Sequence, residues 1–249
     1  MRETMNTNEM QCHFVPLYQS FLLKANIGEN VVEELNTYLD ALQKQAKVVE
    51  DDRMFRPMHI MMKSDNPNCI RFANICLGMS HEYMRKYFKL LGREIPAERM
   101  PEVDEMWSVH SHAGDYNILH SHETKTLMGL SCVTWTKVPK QILEIKKAEL
   151  NNKFGDYDGF LGIVIGGRDV YDEERLKFSG VHQIKPEVGI LYVMPSWVQH
   201  LIWPFFGEGE RRTVACNINM IPFTNSVRIG GTQYKPGGRP GRRGEENLK

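Results

Sequence analysis

Tyr116-Asn117-Ile118-Leu119-His120-Ser121-His122 sets two histidines two residues apart in a stretch of strand character. Side chains at i and i+2 of a β-strand leave the sheet on the same face, so both imidazoles can reach one metal ion. A third histidine, His200, stands far downstream in Met194-Pro195-Ser196-Trp197-Val198-Gln199-His200. A ligand from a distant strand completes one face of a coordination shell and leaves the opposite positions open, as mononuclear non-haem iron chemistry requires. Imidazole also suits zinc, copper and nickel, so the histidines alone do not choose the metal.

A second pair, His110-Ser111-His112, precedes the turn signal Ala113-Gly114-Asp115. Its position beside a turn assigns it to a pocket wall or to the fold rather than to the metal. Further on, Glu210-Arg211-Arg212-Thr213-Val214-Ala215-Cys216-Asn217-Ile218-Asn219 reads as a strand with two unlike faces. Arg212, Val214, Cys216, Ile218 and Met220 share a mostly apolar face. Arg211, Thr213, Ala215, Asn217 and Asn219 share a polar one. An arginine and a hydroxyl on one face form a clamp for a carboxylate. Such a face turned into a barrel implies a polar cavity; turned outward, it is an edge strand in water.

The flanking sequence reads as two helices followed by many strands. Val32, Leu35, Leu39 and Leu42 fall at helical spacing, with Asn30 as the expected N-cap. A second helix follows Pro67, with Ile70, Ala73, Leu77, Met84, Tyr87 and Leu91 on its expected apolar face and Gly92 as its stop. Strands are expected at 106–110, 116–122, 127–136, 160–165, 188–194 and 212–221. His13–Tyr18 is an expected edge strand, and 140–152 a helical or irregular insertion. The pattern predicts an α+β protein with helices packed on one sheet of a β-sandwich or barrel.

The chain of 249 residues is 41% hydrophobic and 25% charged, ordinary for a globular protein, and its formal net charge is zero. Zero net charge gives no global argument for polyanion or membrane binding. The sequence holds no run long and apolar enough for a transmembrane helix. The five cysteines form no CxxC motif and read as reduced thiols in a cytoplasmic protein. From Arg228 the chain is rich in Gly, Arg and Pro. This composition predicts a flexible tail, the one place where nucleic acid could be contacted.

Beyond these readings, several motifs resemble the Fe(II)- and 2-oxoglutarate-dependent oxygenases of the double-stranded β-helix, or jelly-roll, fold. The likeness is to a prolyl-hydroxylase-like branch common in phage genomes. It is carried by Trp107 thirteen residues before His120, Pro186-Glu187-Val188-Gly189, Pro195-Ser196-Trp197-Val198-Gln199-His200, Trp203-Pro204-Phe205, and Arg211, Thr213 and Asn217 at Arg-x-Ser-x-x-x-Asn spacing.

The resemblance implies a jelly-roll core at 104–222, a supporting strand and helices at 1–103, and the tail at 223–249, all one domain. It implies His120 and His200 as Fe(II) ligands, with Arg211 and Thr213 holding the distal carboxylate of 2-oxoglutarate. Tyr116, Asn117 and Tyr192 are further candidates near the co-substrate or metal. Dioxygen would be consumed, succinate and carbon dioxide released, and a protein side chain or small molecule hydroxylated. If the chain is phage-encoded, the expected location is the cytoplasm of the infected host. Where the wider superfamily has His-x-Asp or His-x-Glu, this chain has His122. That leaves two arrangements open: three histidine ligands, or two with His122 donating from behind them. Glu123-Thr124 replaces the branch's usual Ser-Gly and is expected near the substrate mouth. Trp197 and Trp203 are expected to pack. A zinc-binding cupin-type hydrolase or isomerase, and a non-catalytic binding module with a vestigial site, are the competing readings. A homodimer is left open.

Overall fold

The computed structural model describes residues 21–45, 57–95, 99–145, 157–164, 181–222, 228–229 and 232–233. The expected strand His13–Tyr18 and most of the tail lie outside them. The chain runs β1 (Leu23–Asn26), α1 (Glu29–Gln45), β2 (Met58–Met62), α2 (Ile70–Leu90), β3 (Arg99–Ser111), β4 (Asn117–His120) and β5 (Gly129–Lys137). It continues through α3 (Lys140–Glu144), β6 (Leu161–Val164), β7 (Val181–Ile184), β8 (Ile190–Pro195), β9 (Gln199–Ile202) and β10 (Arg211–Pro222). A short ladder of β11 (Arg228–Ile229) and β12 (Thr232–Gln233) follows.

Ten strands form two antiparallel sheets, ordered β1-β8-β5-β10-β3-β2 and β4-β9-β6-β7. Val133, Trp135, Tyr192 and Met194 of the larger sheet pack against Leu161, Ile163 and Ile184 of the smaller. The other face of the larger sheet carries Cys132, Val193, Val214, Cys216, Ile218 and Met220 against the two helices. This is a jelly roll with helices on one sheet. Strands β1 and β2, from the N-terminal region, extend the larger sheet at its two edges.

Local chemistry sets the helix ends. The Gly28 amide donates to the Asn26 side chain at 2.8 Å, a turn that starts α1 one residue before Glu29. Asn30 therefore lies inside α1 and is not its cap. Helix α2 ends as expected at Gly92, whose φ of +65° suits a residue without Cβ. There Gly92 N–H donates to Lys89 O and Arg93 N–H to Phe88 O, closing the last turn. The buried face of α2 is rotated from the expected one. It consists of Phe72, Ala73, Cys76, Ser80, Tyr83, Met84 and Phe88, while Ile70 is 50% exposed. Two small residues, Cys76 and Ser80, sit where the helix meets the sheet, and counting only large aliphatic residues misses them.

A charge cluster ties α1 to the sheet. Arg212, wholly buried, donates to Glu210 from Nε and a terminal nitrogen, at 2.9 and 3.1 Å. It also reaches Asn36 and Gln43 and pairs with Asp40 at 2.7 Å, all on α1. His110 Nδ1 lies 2.6 Å from Glu210, and its Nε2 lies 2.9 Å from Ser108 Oγ. His110 thus serves the fold. Its neighbour His112 is exposed and uses its backbone amide to bond Asp115.

Burial pushes the Glu210 carboxyl up, but hydrogen bonds from His110 and Arg212 and the guanidinium charge outweigh it and hold the carboxyl at about 2, against an ordinary 4.5. The folded-state value is depressed, so the stabilisation is complete above pH 4.5 and is lost as pH falls towards 2. Glu210→Gln is expected to cost about 3 kcal/mol near neutral pH and to flatten the acid limb. Urea unfolding of both proteins across this pH range checks it; parallel pH profiles would refute the assignment.

Candidate metal and co-substrate site

The site lies between the sheets, where β4 and β9 of the smaller sheet face β10 and β3 of the larger. His120 and His200 are register partners on β4 and β9. His122 follows β4 and is tied to the turn before β9 by its amide, which donates to Ser196 O at 2.9 Å. One ligand atom from each of His120, His122 and His200 lies within 4.8 Å of the others. Ring centroids are 4.3 Å apart for His120–His200, 4.9 Å for His122–His200 and 5.5 Å for His120–His122. Among the described residues no other His, Cys, Asp or Glu group converges in this way.

The tautomers follow from the partners. His120 Nδ1 lies 2.6 Å from Ile118 O, and His200 Nδ1 lies 3.0 Å from Val198 O. A carbonyl only accepts, so each Nδ1 carries the hydrogen and each Nε2 keeps its lone pair for a metal. His122 Nδ1 instead faces Asn217 Oδ1 at 3.0 Å and Ser131 Oγ at 2.7 Å. Burial lowers both His122 and His200 to about 4, so both are neutral at neutral pH, as ligation requires.

The turn that carries His200 is built from Pro195, Ser196 and Trp197. Val198 N–H donates to Pro195 O, and Ser196 N–H donates to Gly129 O. Gly129 must be glycine, because a Cβ there would lie 1.8 Å from Thr124 Oγ1.

Arg211 lies in the same pocket and is 1% exposed. Its terminal nitrogens donate to Gly159 O at 3.0 Å, Trp203 O at 3.2 Å and Ser111 Oγ at 2.9 Å. Its Nε has no partner, and no carboxylate pairs with it among the described residues. Burial lowers it to about 10, with Asp115 opposing the shift. Thr213 and Asn117 line the pocket beside it, and the buried Asn117 Oδ1 also lacks a partner. Val109, Val133, Leu161, Met194, Ile202 and Ala215 supply apolar walls, and no acid lines the cavity among the described residues.

The family model described as "Putative 2OG-Fe(II) oxygenase" matches residues 105–217, the segment that contains every one of these groups. Residues 105–217 are therefore similar to the core of a 2OG-Fe(II) oxygenase. No curated protein matches the chain. Among solved structures, AviO1 from Streptomyces viridochromogenes Tue57 is similar at 11% identity and a TM-score of 0.52, over 80% of this chain and 89% of that one. A prolyl hydroxylase from Trichoplax adhaerens, in complex with a hypoxia inducible factor oxygen degradation domain peptide fragment, is similar at 13% identity and a TM-score of 0.50, over 79% and 82%. At these identities the likeness is one of fold.

Within this segment, His120, His122, His200, Arg211, Thr213 and Asn117 share one pocket. Tyr116 and Tyr192 are not part of its wall. Tyr116 is 47% exposed, and Tyr192 packs edge-on against Trp135 in the core. Thr124 anchors its turn through Thr126 O and Ser196 Oγ rather than lining the cavity. Trp203 packs and donates to Gln183, but Trp197 is 60% exposed and is not a packing residue. Trp107 lines the pocket with its ring edge-on to His122, centroids 5.1 Å apart. Ser111 and Ser131 escape a sequence reading, because serines in strands buried on both faces carry no periodic signal. Asn217 was legible as a motif position and as part of the polar face of its strand, but not as a partner of His122.

In the metal-free protein, the imidazole C2 protons of His122 and His200 are expected to titrate with midpoints near 4. Proton NMR with single-histidine variants for assignment checks this. Midpoints near 6.5 would show that both rings are solvated.

Proposed function

We propose that His120, His122 and His200 hold Fe(II), that Arg211 and Thr213 hold the distal carboxylate of 2-oxoglutarate, and that the enzyme hydroxylates a protein side chain or small molecule. The observation that carries this reading is the buried Arg211 guanidinium, which forms no ion pair among the described residues and shares a cavity with three convergent imidazoles. A buried cation without a partner is costly, and a ligand carboxylate compensates it. The donor set fits the metal equally well: three imidazoles with their second nitrogens held. With no acid in the wall among the described residues, a divalent cation and Arg211 together favour a dianionic co-substrate. A zinc hydrolase would employ the same imidazoles but gives Arg211 no role.

Fe(II), when bound, would activate dioxygen, so that 2-oxoglutarate loses carbon dioxide and takes one oxygen atom to become succinate while the other oxygen atom enters a C–H bond of the substrate. The chain's own residues orient and seclude. Ser111 and the Gly159 and Trp203 carbonyls fix the guanidinium plane, leaving Nε free to donate to the carboxylate. Thr213 would add a hydroxyl bond to the same group, and the Asn117 side chain would offer a further polar contact in the pocket. The apolar walls exclude water and so strengthen each of these bonds. On the substrate side, His59 and Met61 of edge strand β2 pair across the ladder with the wall residues Val109 and Trp107. Both therefore face the side of the sheet that holds the cavity. Met61 is 62% exposed, which makes this edge a rim that an entering substrate meets.

Anaerobic addition of 2-oxoglutarate to the Fe(II)-loaded protein is expected to raise a visible metal-to-ligand charge-transfer band. His200→Ala is expected to abolish it. Arg211→Met is expected to raise half-saturation by about 30-fold or more, the scale for truncating one partner of a buried charge pair. Metal binding without any band would overturn the reading.

A further inference from the structure

Three imidazoles converge, but only two are oriented by neighbouring backbone. His120 and His200 each donate to a carbonyl two residues earlier in their own segment. His122 lies past the end of β4, where no ladder sets its direction. Its Nδ1 is met from across the cavity by Asn217 Oδ1 at 3.0 Å and Ser131 Oγ at 2.7 Å. Asn217 and Ser131 are register partners on β10 and β5, 4% and 1% exposed, and share the sheet face that looks onto the pocket. Trp107 closes the far side of the ring edge-on.

We propose that Asn217 and Ser131 are positioning residues that hold His122 as a third, neutral metal ligand, so that the site is a three-histidine centre. The inference rests on the metal-binding part of the function proposed above. The chemistry explains why an amide stands at 217. Its oxygen accepts the Nδ1 hydrogen and leaves Nε2 with a lone pair aimed at the other two rings. An amide nitrogen turned to the ring would reverse the tautomer and remove the ligand. An apolar side chain would leave the ring without direction. Ser131, opposite Asn217, offers a second oxygen to the same nitrogen and narrows its swing.

The test uses Co(II) as the probe, titrated at pH 8 into the full chain and followed by its visible absorption, with thermal unfolding of each metal-free variant as a fold control. Asn217→Leu is expected to weaken Co(II) binding by about 10- to 100-fold, close to His122→Ala, and Ser131→Ala by less. Asn217→Asp keeps the acceptor and is expected to hold affinity near wild type. The double variant Asn217→Leu/His122→Ala is expected to bind no more weakly than His122→Ala alone, since both changes remove one ligand. Full additivity, wild-type affinity in Asn217→Leu, or wild-type affinity in His122→Ala would overturn the proposal. Should Asn217→Leu fail to fold, long-range nitrogen–proton NMR of the Zn(II)-loaded wild type decides. A hydrogen on His122 Nδ1 supports the proposal, and one on Nε2 overturns it. Co(II) binding that follows this pattern without any Fe(II)–2-oxoglutarate band would sink the proposed co-substrate and leave the three-histidine centre standing.

Discussion

Successive side chains of β10 leave the sheet on opposite sides, and both the core and the pocket depend on keeping those sides apart. Val214, Cys216, Ile218 and Met220 fill the helix-packed core, while Arg211, Thr213 and Ala215 line the cavity. A slip of one residue would carry a guanidinium into the apolar core and expose the aliphatic set to the pocket. The strand is pinned against this on both flanks. It pairs with β3 from Arg211 to Pro222 and with β5 from Arg212 to Asn219. The irregularity between Asn217 and Ile218 is confined to the β3 side, so Asn217 stays opposite Ser131 on the β5 side.

Adjacent arginines show how one alternation yields two electrostatic outcomes. Arg212 points at the helices and meets Glu210, Asp40, Asn36 and Gln43, which consume its charge and its donors. Arg211 points at the cavity and meets two carbonyls and a hydroxyl, with no ion pair among the described residues. The first is a structural clamp whose partners belong to the chain. The second is the group for which a bound carboxylate is proposed, and its burial carries a cost in stability. The same division separates the two His-x-His pairs. His110 is spent on Glu210 and Ser108, whereas His120 and His122 keep their outward nitrogens for the cavity.

The order of elements was largely legible, because amphipathic periodicity survives folding. Helices α1 and α2, strand β10 and the stop at Gly92 all carry local signals. The short strands β1, β2, β7 and β9 carry almost none. Each holds four or five residues, too few for a pattern to stand out, and ladder pairing alone makes them strands. Start and facing errors have equally local causes. At α1 the Asn26 side chain, not Asn30, makes the turn, and at α2 the buried stripe runs through a cysteine and a serine that hydrophobicity counts overlook.

By itself the sequence determined which residues alternate on β10, that two helices precede a run of strands, and which histidines and which arginine are candidates for the site. These are local matters, decided by spacing and side-chain type. Only the tertiary structure decided which arginine is left unpaired, which histidine pair faces the cavity, and that Asn217 and Ser131 meet at His122. Each of those depends on what another part of the chain brings to the same place, and the distances involved are set by strand register between residues far apart in sequence.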